Sequence, residues 1–283
     1  MSSFRPCALC GAGSPDVLFV CDAAFVSSLV FAGHQQAYTI CKCARCGLVY
    51  VGEEVSDALL GELYGAEYYQ GRDAGGFTDY AADERKYRAR FHRRLEQLRP
   101  HIAGGRVLDV GCALGWFLAE AKAQGWQAEG VEMSEHAANF VRETHGVHVH
   151  TARLQEAGLE PGSFDLIALW DTIEHLPDPR SILRTCFDLL KPGGFVVLST
   201  GNVDAWRSRV QGRNWALMRP PKHLYYFTPK TLRSLVDQVG FATVTVWQEP
   251  PQRIPAPIRA LATRVSDNAA DIFGLLAVKP ESA

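Results

Sequence analysis

Three groups of residues have the types and spacing to do chemistry. Near the N-terminus, Cys7-x-x-Cys10-Gly11 and Cys43-x-x-Cys46-Gly47 form two matched pairs. A two-residue gap lets both thiolates of a pair reach one ion, and the following glycine relieves the tight backbone. Two such knuckles predict a tetrahedral four-cysteine zinc site with no open position, hence a structural one. Cys41 lies near enough in sequence to leave the third ligand open. In mid-chain, VLDVGCALG (107–115) delivers Asp109 to a glycine corner, and Glu132 follows Gly111 by twenty-one residues. Further on come Asp171-x-x-Glu174-His175 and a second histidine, His223, in PPKHLYYF.

The glycine corner is not a dinucleotide turn. A G-x-G-x-x-G loop seats a pyrophosphate at a helix N-terminus. Here Ala113 takes the middle place and Trp116 the third. An acid inside the turn repels pyrophosphate and suits an ammonium group. Glu132, at the end of the next strand, is placed to accept from both hydroxyls of a ribose. The two acids together fit S-adenosylmethionine (SAM), amino-acid end at the corner and ribose on Glu132.

Methyl transfer from a sulfonium needs alignment, and a base where the nucleophile carries a proton. On a helical turn Asp171, Glu174 and His175 share one face. His175 is the first candidate base for a hydroxyl acceptor, with Asp171 and Glu174 orienting it. The residues leave two other roles open: the trio holding a divalent ion that binds a diol, or His175 pinning the following loop. His223 is the second candidate base. Its segment, 201–228, which the family resemblance given below implies is an acceptor lid, has Trp206, Trp215, Tyr225 and Tyr226 to supply aromatic walls. Arg207, Arg209, Arg213, Arg219 and Lys222 around them fit an anionic acceptor or, equally, an exposed basic loop.

The elements that must position these groups alternate β and α from Gly104-Gly105 to about residue 247. RVLDV, QAEGV, VHVH, FDLIALW and FVVLST read as strands; FDLIALW, apolar throughout, fits a strand buried on both faces. Ser134, Asp178-Pro179 and Thr228-Pro229 open helices, and Gly125 and Gly240 close them. A helix (APIRALATRV) and a strand (FGLLAVK) end the chain. The expected fold is a doubly wound, Rossmann-like α/β sheet with a terminal antiparallel strand, plus a small zinc ribbon. The expected division is a ribbon at 1–52, a helical linker at 53–100 and the main domain at 101–283. In the linker, Tyr87, Phe91, Leu95 and Leu98 form an apolar stripe. Arg85, Lys86, Arg88, Arg90, Arg93, Arg94 and Arg99 are expected on its solvated face, with an anion-facing surface as the alternative.

The chain has 283 residues, 47% of them apolar, and a formal net charge of −2. That charge gives little grip on phosphates and argues against a nucleic-acid partner. No apolar run approaches the roughly 20 residues that span a bilayer, and MSSFRPCALC has no secretory h-region, so a cytoplasmic protein is expected. Eight cysteines in that compartment are not expected to be a disulfide framework. Cys21, Cys112 and Cys186 read as small buried apolar residues. Oligomeric state is left open.

VLDVGCALG, the acid in GVEMS, SFDLIALWDTIEHLPDP, LKPGGFVVLST and HLYYFTPKTLRSLVDQVGF occur in an order that resembles the class I SAM-dependent methyltransferases. The chain is similar in particular to a bacterial group in which a double-CxxC segment runs into a tyrosine motif, here Tyr64…Tyr68-Tyr69. D-x-x-E-H resembles the ubiquinone-pathway O-methyltransferases. The resemblance implies that Asp109, Gly111, Cys112 and Gly115 meet the methionyl end, and Glu132 with Met133 the ribose. It also implies that Arg153-Leu154 flank adenine, that Trp170 lines the cleft, and that Tyr68 or Tyr69 reaches the ligands, Tyr69 on the cofactor side. Ala113 departs from the glycine of many relatives, tolerably unless its φ must be positive. The implied function is methylation of a small-molecule hydroxyl on a sugar, natural product or quinone-like ring. The alternatives are an RNA methyltransferase targeted by its zinc module and a non-catalytic SAM- and zinc-binding protein.

Overall fold

The computed structural model describes residues 4–27, 35–63, 84–249 and 270–281. The N-terminal ribbon is built from β1 (Pro15–Cys21), β2 (Tyr38–Cys43) and β3 (Val49–Val51), with α1 (Ala23–Ser27) after the first strand. Among the described residues α2 (Asp57–Leu63) and α3 (Glu84–Leu98) come next. Then the alternation begins: β4 (Arg106–Val110), α4 (Trp116–Ala123), β5 (Gln127–Glu132), α5 (Glu135–His145), β6 (His148–Thr151), β7 (Phe164–Trp170), α6 (Pro179–Leu189) and β8 (Leu190–Gly201). After α7 (Trp206–Gln211) and the two-residue β9 (Tyr225–Tyr226) come α8 (Pro229–Val239), β10 (Ala242–Glu249) and β11 (Ile272–Val278).

The main sheet has the order β10-β11-β8-β7-β4-β5-β6. The strands from β6 to β8 pair in parallel, and β11 runs antiparallel to both its neighbours. Strand order reverses at β4, which opens a crevice beyond the carboxyl ends of β4, β5 and β7. Alternate residues of β4 and β7 feed two cores, as the apolar runs require. Val107, Leu166 and Ala168 pack with α3, α4 and α5. Leu108, Ile167 and Leu169 pack with α6 and α8. The caps act as their residue types dictate: Ser134, Asp178 and Thr228 each accept from a backbone amide, with Pro179 and Pro229 in the first turns. β8 begins earlier than FVVLST because Leu190 already pairs with Phe164, and a register shift before Leu166–Phe195 absorbs the Gly193-Gly194 bend.

The ribbon is not a detached bead. Its sheet has the order β1-β2-β3-β9, so its fourth strand comes from the 201–228 segment. Leu9, Leu48 and Tyr50 share a buried cluster with Leu183, Phe227 and Leu232. In α3, Leu95 and Leu98 are buried, as the stripe predicts. The basic face does not match the expectation of solvation throughout. Arg94 is only 3% exposed and Arg90 18%, both turned into ion pairs with Asp171 and Glu249. Tyr64, Tyr68, Tyr69 and the APIRALATRV helix lie outside the described residues.

At the sheet edge, Trp247 of β10 is the cross-strand partner of Gly274 on β11 and lies over its Cα, where any Cβ would overlap the indole. Gly274→Val should therefore destabilise the fold by about 2 kcal/mol or more through overpacking. By contrast Gly61→Ala, where a Cβ meets open space in α2, should stabilise by about 0.5–1 kcal/mol. Urea denaturation followed by circular dichroism measures both.

Candidate active site and cysteine cluster

The four knuckle cysteines converge. Cys7 Sγ lies 3.4 Å from Cys46 Sγ, and Cys10 Sγ 3.5 Å from Cys43 Sγ. All four sulfurs fall within 4.8 Å of one another. A tetrahedral zinc thiolate site spaces its sulfurs by about 3.8 Å, so the donor set and geometry fit that ion. In each knuckle the glycine amide closes on the first cysteine's carbonyl, Gly11 on Cys7 and Gly47 on Cys43, with φ of 74° and 79°. Burial alone would raise the Cys43 thiol, but the amides of Cys46 and Arg45 and the Cys10 thiol bring it to about 7. Cys41 is buried, pushed up to about 11 by burial, and outside the group.

At the corner after β4, Gly111 has φ 71° and is exposed, while Asp109 and Glu132 beside it are buried. A Cβ on Gly111 would come within 2.9 Å of Thr172. Ala113 has φ 49°, so the condition under which its methyl group is costly is the one it meets. Glu132 holds the turn: Oε2 accepts from the Ala113 amide at 3.0 Å and Oε1 from the Ser134 amide at 2.9 Å. Burial and then the Glu132 charge raise the Asp109 carboxyl well above its usual range, against a smaller pull from Arg94. A cation brought to this corner would reverse that. Cys112 is buried here and Met133 is exposed at the rim. Leu154 is buried, whereas Arg153 turns to Asp57 at 2.9 Å.

The turn after β7 differs from a helical face. Asp171 sits at φ 52°, and only Ile173–His175 form a 3-10 turn. The Asp171 carboxylate is engaged by α3 and β8. Oδ2 meets Arg90 at 3.1 Å and Arg94 at 3.7 Å, and Oδ1 accepts from Ser199 Oγ at 2.7 Å. Burial would raise it, but the two guanidiniums and that hydroxyl hold it at about 2. Arg94 also bonds Glu249 at 2.6 Å and Ser199 Oγ at 3.1 Å, and stacks over Trp170 at 4.3 Å, while its Nη1 is buried without a partner. Trp170 is thus itself buried, between Phe91, Phe117 and Arg94. Arg90, Arg94, Ser199 and Glu249 are site residues that the motifs missed.

What gathers instead is Glu174, His175 and His223, with ligand atoms within 4.8 Å of one another. Asp171 is replaced in that group by His223, because the left-handed residue swings its carboxylate to the arginines. His175 Nδ1 donates to the Lys222 carbonyl at 2.8 Å, and the two imidazoles meet edge to face at 4.7 Å. Burial lowers both histidines, His223 strongly. Burial and then the Asp171 charge push Glu174 up to about 8, with Oε2 buried and unpartnered. The aromatic walls are largely absorbed into packing: Trp215 is buried and bonds Asp271, and Tyr225 donates to the Pro177 carbonyl. Trp206 is exposed. Among the lid cations, Arg207 pairs with Asp271 and Arg209 with Asp204, Arg219 Nε donates to Ala216, and Lys222 is buried.

With this geometry established, comparison with known proteins adds the following. A family described as "Methyltransferase domain" matches residues 80–246. A ubiquinone biosynthesis O-methyltransferase of Ralstonia nicotianae is 36% identical over 161 residues, 53% of this chain and 66% of that protein. One from Pseudomonas aeruginosa is 39% identical over 139 residues, 46% of this chain and 59% of that one. The matches to the relatives from Albidiferax ferrireducens, Ralstonia nicotianae and Bordetella avium span 43% to 66% of those proteins' length. A solved SAM-dependent methyltransferase from Archaeoglobus fulgidus aligns with TM-score 0.56 at 20% identity, covering 71% of this chain and all of that one. One from Thermotoga maritima, titled a possible histamine N-methyltransferase, aligns with TM-score 0.55 at 21% identity, covering 71% and 94%. These two likenesses speak to the fold.

The cysteine geometry yields a direct outcome. Metal analysis of the purified chain should find one zinc per molecule, lost in Cys43→Ser and kept in Cys41→Ser.

Proposed function

The chain belongs to the SAM-dependent methyltransferases, and from that premise we propose that it methylates a hydroxyl of a small molecule. The observation that carries this reading is the Glu174–His175–His223 group beside the cofactor corner. The cofactor supplies an electrophilic methyl group on a sulfonium, and the residues present fit it. Asp109, whose carboxyl is destabilised as a lone buried anion, would take the ammonium. The buried Arg94 Nη1 without a partner would take the carboxylate. Glu132, with amides on one side of each oxygen, would take the ribose hydroxyls. The Gly111 corner, closed to any side chain, leaves room for the methionyl chain, with Cys112, Gly115 and Met133 around it. Leu154 would flank the adenine.

In this reading His175 is the base. Its Nδ1–H is held by the Lys222 carbonyl, which makes Nε2 the basic nitrogen of the neutral ring, and the Asp171 backbone also bonds that ring. That nitrogen takes the acceptor's proton as the oxygen attacks, and the neutral His223 ring packs edge to face against the His175 ring. Glu174, protonated at neutral pH, can donate to the acceptor oxygen. The relatives' printed names, ubiquinone biosynthesis O-methyltransferase, support oxygen as the methylated atom and, among the acceptor classes, a quinone-like ring. A cationic lid aimed at an anionic acceptor has less support, since Arg207 and Arg209 have acidic partners. A second reading is favoured by the same grouping: two histidines and one carboxylate are a donor set for a divalent ion that could bind a diol. Exhaustive chelation decides between them. Activity that survives removal of a labile divalent ion supports the base, and activity restored only by the ion supports the metal.

Two measurements test the proposal. Calorimetry with S-adenosylhomocysteine should show binding weakened at least tenfold in Glu132→Ala; no binding by the unaltered chain would overturn the cofactor assignment. The acceptor can be found by labelled methyl transfer into a lysate. With it in hand, kcat/KM should be flat near pH 7, because burial keeps His175 neutral below its ordinary value of 6.5. It should fall about tenfold per unit once pH drops below that lowered value, as Nε2 takes up a proton. His175→Ala should abolish that acid limb and cost about 10²–10⁴ in kcat.

A further inference from the structure

The segment that carries His223 is held from two sides. Toward the catalytic turn, the Lys222 carbonyl accepts from His175 Nδ1, the Leu224 amide donates to the Glu174 carbonyl at 2.8 Å, and Tyr225 Oη donates to the Pro177 carbonyl at 2.8 Å. Toward the ribbon, the Leu224 carbonyl accepts from the Val51 amide at 2.9 Å, and β9 pairs with β3 through Tyr225–Tyr50 and Tyr226–Val49. A strand of two residues cannot hold its own place, and its position is that of its partners.

Arg5 closes this join. It is 8% exposed, and its planar fork reaches three groups at once. Nε donates to the Val51 carbonyl at 2.6 Å, Nη2 to the Leu224 carbonyl at 2.9 Å, and Nη1 to Tyr225 Oη at 3.2 Å. The guanidinium also lies 4.6 Å over the Tyr225 ring. Its own backbone is tied to the ribbon, the amide donating to Gly52 and the carbonyl accepting from Tyr50 Oη. Two residues on is Cys7, one of the four thiols. The cofactor corner stands on β4 and β5, which are other strands.

We propose that Arg5 is a positioning residue, clamping the His223 segment against the Glu174–His175 turn so that the four-cysteine ribbon sets the geometry of the proton-accepting pair and leaves the cofactor corner alone. This rests on the reading of His175 and His223 given above, and its test needs no acceptor. Arg5→Met keeps the apolar stem and removes the donors; it is compared with the unaltered full chain, both zinc-loaded. Expected by NMR are exchange of the Leu224 amide at least tenfold faster and loss of the protected His175 Nδ1–H resonance. Affinity for S-adenosylhomocysteine should change less than threefold, with zinc still at one per chain. Arg5→Lys, which can serve one acceptor at a time, should fall between. Unchanged protection of both protons overturns the clamp, and so does an equal loss of cofactor affinity, which would make Arg5 a general fold residue. Should Arg5→Met not yield a zinc-bound folded chain, Tyr225→Phe decides. It removes the hydroxyl that bridges Arg5 and Pro177, and undiminished protection at Leu224 and His175 would overturn the proposal. Failure of the cofactor reading would show separately, as absent binding in the unaltered chain.

Discussion

Four carboxyl groups crowd the carboxyl ends of three adjacent parallel strands: Asp109 near the end of β4, Glu132 closing β5, and Asp171 and Glu174 after β7. Placing like charges together away from water is among the costliest things a fold can do. Each carboxyl is accommodated by a different means. Glu132 is ringed by the amides of Ala113 and Ser134. Asp171 is met by two guanidiniums and a hydroxyl. Glu174 keeps its proton to about pH 8. Asp109 has only the more distant pull of Arg94 and is left destabilised. Of the two acids whose carboxyls stay raised, Asp109 is the one at the glycine corner, and a perturbed group placed there differs from a structural ion pair as a ligand-binding position does.

The second constraint is size. Some fifty residues of ribbon enclose little apolar surface, and a chain that short needs metal or a neighbour to fold. This ribbon has a donor set for the first and the second outright. The cysteine cluster ties its two knuckles, and β9 with the shared Leu48–Tyr50 and Leu183–Leu232 core ties it to the main domain. The join falls on the segment that carries His223. A module that could have been an independent targeting unit is therefore built into the wall of the candidate site.

How far these features could be read from the sequence follows the distance over which they are specified. The strands RVLDV and FDLIALW, the Ser134, Asp178 and Thr228 caps and the CxxCG knuckles are local patterns, and each is in place. The arginine network is not local. Arg90 and Arg94 meet Glu249 more than 150 residues away, and along α3 they look like any other basic residues between apolar positions. β9 is two residues long, too short to show a period, and its pairing partner lies in another module. The D-x-x-E-H spacing puts its three residues on one face only if the turn is helical, and Asp171, at φ 52°, is not.

Asp171 explains that difference. A non-glycine residue in the left-handed region costs about 1–2 kcal/mol, and here the cost is offset by several bonds at once. The Asp171 amide donates to the Ser199 carbonyl at 3.0 Å and approaches its hydroxyl at 3.1 Å, while the carboxylate accepts from that hydroxyl and pairs with two arginines. The strained residue reverses the chain directly after β7. A right-handed continuation would have set the three polar side chains on one face, with the acids competing for His175. The left-handed one sends the Asp171 carboxylate to the arginines of α3, while Glu174 and His175 bond the segment that enters β9. The same backbone reversal therefore separates the acid that anchors α3 from the pair that meets His223, and one short turn serves two purposes because its first residue is held where helices do not go.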